Sequence, residues 1–273
     1  MAEGDIDIGL IMKKAFQTVF HDVGYISIYF VPAMVGLIIL LLMQYVSGFN
    51  SFLTFQNLQS SPTAMSDKMG LFIIMLFLYV VSIGVTGLVA LAAATIKIDR
   101  YEKKTTIGAG EAFREGLAYF SSLLGAAIVA GLMIAAPLVL AILLMIIGVM
   151  SHAMSLIGIG ALLLIVLIIP VIYIGLRLSL FAQACVLDNL GAVECVRKSW
   201  HVTKGNVLLL FVTGLILAII TLPLSLLNNI APMLQIGTFL STLIVGLISS
   251  ATWALIHKGL TVVVTMDDSQ FDT

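Results

Sequence analysis

The chain has 273 residues, of which 61% are hydrophobic and 10% are charged, and its mean hydropathy is +1.17. A water-soluble globule of this size cannot bury that much apolar surface, so the composition excludes a soluble protein and indicates an integral membrane protein. The formal net charge of −1, without a basic patch interleaved with aromatic residues, gives no indication of nucleic-acid binding.

Four long stretches contain no Asp, Glu, Lys or Arg: residues 23–66, 69–96, 116–176 and 205–257. About 20 residues suffice for a helix to cross the hydrocarbon, so the first, third and fourth stretches must turn back. Polar and turn-forming residues mark the breaks at "SGFNSFLTFQNLQSSPTAMSDK", "MSHAMS" and "NNIAPMLQ". The sequence therefore predicts six spans, approximately residues 24–46, 69–97, 123–149, 156–176, 207–227 and 239–265.

The cations predict the orientation of these spans. Lys68 alone lies on one side of the membrane, and the other twelve Lys and Arg residues lie on the opposite side. By the positive-inside rule, both termini are expected in the cytoplasm. Cys185 and Cys195 then fall on the cytoplasmic side, where a structural disulfide is not expected. We expect packing thiols there, with S-acylation as the alternative.

Three polar segments interrupt the apolar runs and overlay one another without a gap. They are "DIDIGLIMKKAFQTVFHD" from Asp5, "TIGAGEAFREGLAYFSSL" from Thr106 and "NLGAVECVRKSWHVTKGN" from Asn189, at spacings of 101 and 83 residues. The first residue of each segment, Asp5, Thr106 or Asn189, is of a type that favours the N-cap position of a helix. Later columns hold a cation, a small residue and a large apolar residue: Lys13, Arg114 and Arg197, then Ala15, Gly116 and Ser199, then Phe16, Leu117 and Trp200.

Each segment is too short and too charged to cross the membrane, but apolar residues line one side of it at helical spacing. This pattern is typical of a helix that lies in the membrane interface. The predicted fold is an all-α integral membrane protein, a single domain over residues 1–273 with six transmembrane helices and three interfacial amphipathic helices. These would form three parallel repeats of an interfacial helix and a helical hairpin, approximately residues 5–97, 106–187 and 189–265.

The sequence offers little chemistry. No ionisable residue falls at mid-membrane, and the nearest, Arg177, is predicted at the cytoplasmic boundary. There it could extend its charged end to the surface, pair with Asp188 or Glu194, or bind an anion or a lipid head group. The four histidines are scattered, so no metal site is predicted. No catalytic or nucleotide-binding motif is present, and we expect neither an enzyme nor a cofactor.

The stretch "RLSLFAQACVLDNLGAVECVRKSWHVTKGNVLLLF" resembles a group of six-span prokaryotic membrane proteins. The group includes YciC-like inner-membrane proteins and the membrane domain of some bacterial glycerophosphodiester phosphodiesterases. The matching positions are Arg177, Asp188, Ser199, Trp200, Thr203, Lys204 and Gly205. The resemblance implies a six-helix fold in a prokaryotic plasma (inner) membrane. It does not imply phosphodiesterase activity, because the soluble barrel and its catalytic carboxylates are missing.

The leading interpretation is a non-enzymatic protein whose amphipathic helices form a cytoplasmic belt that binds lipid head groups or a membrane-protein partner, including a second copy of the chain. The predicted head-group contacts are Lys13, Arg114, Arg177, Arg197 and Lys204, and the predicted interfacial anchors are Phe16, Leu117 and Trp200. The alternative is a transporter or channel for a small or apolar solute between the three hairpins. A carrier predicts a continuous polar cavity at mid-depth, whereas a binding protein predicts a packed interior.

Overall fold

The computed structural model describes residues 7–22, 24–47, 62–230 and 235–271, and within these ranges the chain forms helices and short turns without a strand. In chain order the helices are α1 (Ile8–His21), α2 (Gly24–Ser47), α3 (Pro62–Glu102), α4 (Ala109–Ala118), α5 (Phe120–Met150), α6 (Met154–Leu178), α7 (Phe181–Leu187), α8 (Ala192–Val202), α9 (Val207–Ile230), α10 (Ile236–Leu240) and α11 (Gly246–Phe271). A π-helical segment, Ser241–Val245, joins α10 to α11.

Among the described residues, six stretches are long and apolar enough to cross a membrane, which agrees with the predicted all-α fold and its six spans. They are Gly24–Met43, Ile73–Glu102, Phe120–Met150, Met154–Leu187, Val207–Asn228 and Ile236–Val262. The second stretch runs beyond its predicted end at Lys97. Lys97 is buried within α3, and the helix continues to Glu102.

The three polar segments are helical, as predicted, and form α1, α4 and α8, here called the amphipathic helices. Each separates a buried face from an exposed face. The buried residues are Met12, Ala15, Thr18 and Val19 in α1, Ala112 and Gly116 in α4, and Cys195, Val196, Ser199 and Val202 in α8. Apolar residues at helical spacing therefore face the protein interior in all three.

The prediction that Thr106 and Asn189 are N-cap residues is wrong. Their helices begin three residues later, at Ala109 and Ala192, and Asn189 adopts a positive φ of 52° in the preceding turn. Gly191 precedes α8 instead, and its N–H donates to the Glu194 carboxylate at 3.2 Å. A carboxylate in the first turn thus satisfies a free N–H that the Asn189 side chain was expected to satisfy. The third predicted cap, Asp5, lies outside the described residues.

A short helix that the sequence did not predict, α7, lies between the fourth span and α8. Its residues Ala182 to Val186 are all buried, including the polar Gln183. This segment continues the apolar run of the fourth span, so nothing in its composition separates it from a membrane helix. The structure makes it a buried connector that leads directly to α8.

The chain divides into two compact units. In the unit built from Gly9–Ala118 and Gly214–Thr252, α2 and α4 both pack on α3, and the π-helical segment packs on α2. In the unit built from Tyr119–Thr213 and the chain from Trp253 onward, α5 packs along α6, while α8 packs on α5 and α7. Each unit therefore contains at least one amphipathic helix held against membrane-spanning helices.

Candidate functional site

Four of the five cations predicted to contact head groups are exposed. They are Lys13 on α1, Arg114 on α4, Arg197 on α8 and Lys204 directly after α8. None of the four forms an ion pair with a residue that the structure describes. Lys14, next to Lys13, differs because it pairs with Glu102. The charges of the four predicted cations can therefore contact an external anion.

The amphipathic helices also expose large apolar side chains beside these cations. The most exposed are Leu10, Phe20, Leu117 and Val193, each more than half accessible. Of the predicted interfacial anchors, Leu117 is 58% exposed, and Phe16 is partly buried and stacks on Phe20 with ring centroids 6.0 Å apart. An exposed apolar side chain next to an exposed cation is the arrangement that a membrane interface accommodates.

The small residue on the opposite face of each amphipathic helix is buried. Ala15 and Ser199 are fully inaccessible, and Gly116 is buried as well. A Cβ added at Gly116 would lie 3.0 Å from the backbone N of Ala93 and 3.2 Å from the backbone O of Val89. In α4, therefore, the absence of a side chain allows backbone-to-backbone packing on α3.

Two hydroxyl groups fasten α8 to the end of α6. Ser199 Oγ donates to the carbonyl oxygen of Arg177 at 2.9 Å. The Thr203 hydroxyl lies 3.1 Å from the same oxygen and 2.7 Å from the Ser199 carbonyl oxygen, so its one hydrogen is shared between the two acceptors. The last carbonyls of a helix have no partner within the helix, so these two bonds satisfy a group that burial would otherwise leave unpaired. They also determine where Trp200, which lies between the two hydroxyl residues in sequence, sits relative to Arg177.

Arg177 differs from the other predicted cations because it is only 5% exposed. Its guanidinium carbon lies 4.6 Å from the ring centroid of Trp200 and 5.9 Å from that of Tyr173, and the two rings are nearly perpendicular. The guanidinium Nε is buried and has no hydrogen-bond partner. Trp200, predicted as a lipid anchor, therefore covers the Arg177 cation instead of standing free.

Neither carboxylate expected to pair with Arg177 does so. Asp188 Oδ2 lies 3.1 Å from Nε2 of His257, which is 1% exposed and whose Nδ1 has no partner. Glu194 accepts the N–H of Gly191. The expected Arg177–Asp188 and Arg177–Glu194 pairs are thus absent from the described part of the chain. The His257–Asp188 pair was not predicted from the sequence. The one feature that could have indicated it is that each of the two residues is a polar residue at the end of an apolar run.

Cys185 of α7 and Cys195 of α8 form a disulfide, with Cα atoms 5.0 Å apart. The prediction of separate packing thiols is therefore wrong, and S-acylation of either sulfur is incompatible with the bond. The turn between α7 and α8 brings together two fully buried cysteines that are ten residues apart in sequence. That turn depends on tertiary packing, whereas the prediction rested only on the expected compartment.

A second buried cation lies in the other unit, near the end of α3. The Lys97 side chain is 5% exposed, its Nζ lies 2.7 Å from Asp22 Oδ2 and its ammonium lies 4.8 Å from the ring centroid of Tyr25. Burial raises the pKa of Asp22, but hydrogen bonds from Lys97 and from the Gly24 N–H, with the positive charge of Lys97, leave it below its usual range. Lys97 thus has the carboxylate partner that Arg177 lacks.

A hollow of about 440 Å³ opens beside the turn from α3 to α4. Its lining residues are Lys14, Tyr101, Glu102, Lys104, Thr105 and Thr106. None of these is a predicted site residue. One lining residue, Lys14, lies on α1, and the other five lie at the end of α3 or in the turn after it. The hollow is therefore located at the ends of helices and not at the middle of a span.

A family model described as "Domain of unknown function (DUF7847)" matches residues 14–266. The chain belongs to the DUF7847 family. The match includes all six membrane-spanning stretches, all of α4 and α8, and the later part of α1. Comparisons with curated proteins and with solved structures find no match. The resemblance to YciC-like proteins and to the phosphodiesterase membrane domain stays a prediction.

Proposed function

We propose that this DUF7847 protein is a non-enzymatic membrane protein that binds anionic lipid head groups through α1, α4 and α8. The observation that carries the proposal is the shared architecture of these helices. Each buries a small residue against the protein, exposes a cation without a partner among the described residues, and exposes a large apolar side chain. Such a helix can place apolar side chains among acyl chains and its cation among phosphates.

The proposal includes the repeat and the orientation predicted from the sequence. The three helices begin at Ile8, Ala109 and Ala192, which keeps the spacings of 101 and 83 residues found in the sequence overlay. This agreement supports three parallel units of one amphipathic helix and one hairpin. In the proposed setting the helices lie on the cytoplasmic leaflet of a prokaryotic plasma membrane, with both termini in the cytoplasm. The distribution of twelve of the thirteen cations favours this side, whereas the Cys185–Cys195 disulfide is a bond not expected there.

The transport alternative receives less support. Ion or solute pathways through a membrane commonly use ionisable groups at depth. Of the buried basic residues in the described spans, Lys97 and His257 lie near the ends of their spans, and Arg177 lies at the end of helix α6. The hollow beside the α3–α4 turn also lies at helix ends. We therefore propose a binding role at the membrane surface as the primary function.

The experiment replaces Lys13, Arg114 and Arg197 together by Glu and measures the lipid that copurifies with the protein in a mild detergent. A cation near an anionic surface contributes roughly 1 kcal/mol, so loss of three weakens surface binding by about 3 kcal/mol, or more than 100-fold. We expect mass spectrometry to show several-fold less anionic lipid per protein, with a smaller loss in the corresponding triple Gln variant.

Lys103→Glu is the matched control, because Lys103 is exposed on the turn before α4 and already pairs with Asp99 at 2.7 Å. It should lose less anionic lipid than Arg114→Glu. Unchanged lipid retention in a folded triple Glu variant would refute the proposal. A smaller loss for Arg114→Glu than for Lys103→Glu would also contradict it, because position on an amphipathic helix would then have no effect.

A further inference from the structure

We propose that Arg177 is a binding site for a single phosphate group, contributed by a lipid head group at the membrane boundary or by free phosphate. This inference depends on the proposed function for its membrane setting, but it concerns a different kind of contact. The cations of the amphipathic helices are exposed and dispersed, whereas Arg177 is buried between aromatic rings and offers one defined position.

The Arg177 charge has no counter-charge among the described residues. A guanidinium stays protonated in proteins, so Arg177 cannot become neutral to relieve its burial. It is 5% exposed, its Nε has no hydrogen-bond partner, and no carboxylate among the described residues pairs with it. Trp200 and Tyr173 attract the cation through their ring faces, but aromatic rings accept no strong hydrogen bond from its N–H groups. An anion from outside the chain would supply the counter-charge that this buried cation lacks among the described residues.

Two other buried basic side chains of the same protein, Lys97 and His257, each have a carboxylate partner. Lys97 is buried to the same degree near the end of its own span and also lies over an aromatic ring, that of Tyr25. Lys97, however, has the Asp22 carboxylate at 2.7 Å. The buried His257 likewise has Asp188. Of these three buried basic side chains, Arg177 is the one whose anion the described chain does not supply.

The geometry of a guanidinium favours phosphate as the anion. A guanidinium presents parallel N–H groups that match two oxygens of one phosphate, a geometry that a lysine ammonium cannot provide. Trp200 lies over one face of the guanidinium, and the N–H groups that would contact a ligand lie along its edge. The exposed cations Arg197 and Lys204 are carried by α8 and the turn after it, and they raise the local concentration of anions. Phosphate is the anionic group that a membrane boundary supplies in abundance.

The position of the guanidinium is held by bonds that do not use its charge. Ser199 and Thr203 bind the Arg177 carbonyl, and the disulfide from Cys185 to Cys195 joins α7 to the same helix, α8. Removal of the charge should therefore leave the backbone attachment of α8 intact. Tyr173 is 45% exposed, so its ring can shift toward the membrane to admit the anion without disturbing the buried side chains.

The experiment measures thermal stability of the purified full-length protein in a neutral, lipid-free detergent at constant ionic strength. The added ligands are short-chain phosphatidylglycerol, short-chain phosphatidylcholine, inorganic phosphate, or sodium chloride as the ionic-strength control. A ligand that binds the folded state raises the midpoint temperature in a saturable manner. Saturation by phosphatidylglycerol or phosphatidylcholine would identify a lipid head group as the source, and saturation by inorganic phosphate would identify the free anion.

The first variant is Arg177→Met, which keeps a long side chain but removes the positive charge. The second is Arg177→Lys, which keeps the positive charge but removes the parallel N–H groups of the guanidinium. Without ligand, Arg177→Met should unfold at the same temperature as the natural chain or higher, because an unpaired buried charge is removed. With ligand, its apparent affinity should fall at least tenfold, and that of Arg177→Lys by an intermediate factor. A role in packing alone would instead destabilise Arg177→Met in all ligands equally.

The triple Glu variant of the amphipathic helices separates this inference from the proposed function. Saturable stabilisation that persists in that variant and disappears with Arg177→Met supports the Arg177 site, even if the amphipathic helices prove not to retain lipid. The inference is overturned if no phosphate-bearing ligand stabilises the natural chain beyond sodium chloride. It is also overturned if Arg177→Met, or Arg177→Lys where the Met variant does not fold, keeps the natural affinity.

Discussion

Replacement of Gly116 by Ala tests whether α4 packs backbone to backbone on α3. The added Cβ would lie 3.0 Å from the Ala93 nitrogen and 3.2 Å from the Val89 oxygen. Both are backbone atoms of a long helix, so neither can rotate away, and α4 would have to move outward by a few tenths of an ångström. Gly110 lies in the same helix, and a Cβ added there would have nothing within 4 Å, so Gly110→Ala is the matched control.

The expected magnitude follows from two opposing effects. Ala in place of Gly within a helix stabilises by up to about 1 kcal/mol. Overpacking of a close contact costs about 1–3 kcal/mol. Gly110→Ala gains the first effect without the second, whereas Gly116→Ala experiences both. We therefore expect Gly116→Ala to be less stable than Gly110→Ala by about 1–3 kcal/mol.

Reversible unfolding in mixed micelles, with an increasing fraction of a denaturing detergent and circular dichroism as the signal, measures the difference. The two variants should unfold with similar slopes, because the same surface is exposed in both, and differ in midpoint. Equal midpoints, or a more stable Gly116→Ala, would show that α4 has room against α3. The small residue at this position would then have no packing role.

Reduction of the Cys185–Cys195 disulfide should lower the free energy of unfolding by about 3 kcal/mol, the chain-entropy value for a short closed loop. Thermal unfolding with and without a thiol reductant checks this, and a Cys185→Ser variant that still responded to reductant would contradict it. Because the folded-state pKa of Asp22 lies below its usual 3.8, the Lys97–Asp22 pair stabilises the protein above that value, and this contribution is lost as the pH falls through the lower folded-state pKa. Asp22→Asn should thus be less stable at neutral pH and decline less steeply on acidification, and parallel pH profiles for both proteins would be evidence against it.

Much of the candidate site could be anticipated locally. The periodicity of α1, α4 and α8 distinguished an apolar side from a charged side in each helix. The structure exposes Lys13 and its counterparts, but it packs the apolar side, including the small residues Ala15, Gly116 and Ser199, against the protein instead of the membrane interface. These properties follow from the identities of residues three or four positions apart on one helix. No knowledge of the neighbouring helices is needed to predict them.

Pairings between distant residues could not be anticipated in the same way. Asp188 was predicted as a possible partner for Arg177, but in the structure it pairs with His257. The pair between Lys97 and Asp22 was not predicted at all. Each apolar span could place its terminal polar residue against several partners of opposite charge. The choice among them depends on which helix faces meet.

The order of hydrophobic and charged residues by itself determined the membrane class, the six spans and the two-sided character of three short helices, because burial in lipid and helical periodicity act over a few turns of chain. Tertiary structure alone decided the unexpected helix α7, the Cys185–Cys195 bond and the isolation of Arg177 between two rings. These features arise where chain turns bring buried side chains together, and only the packing of the folded chain specifies the contacts that result.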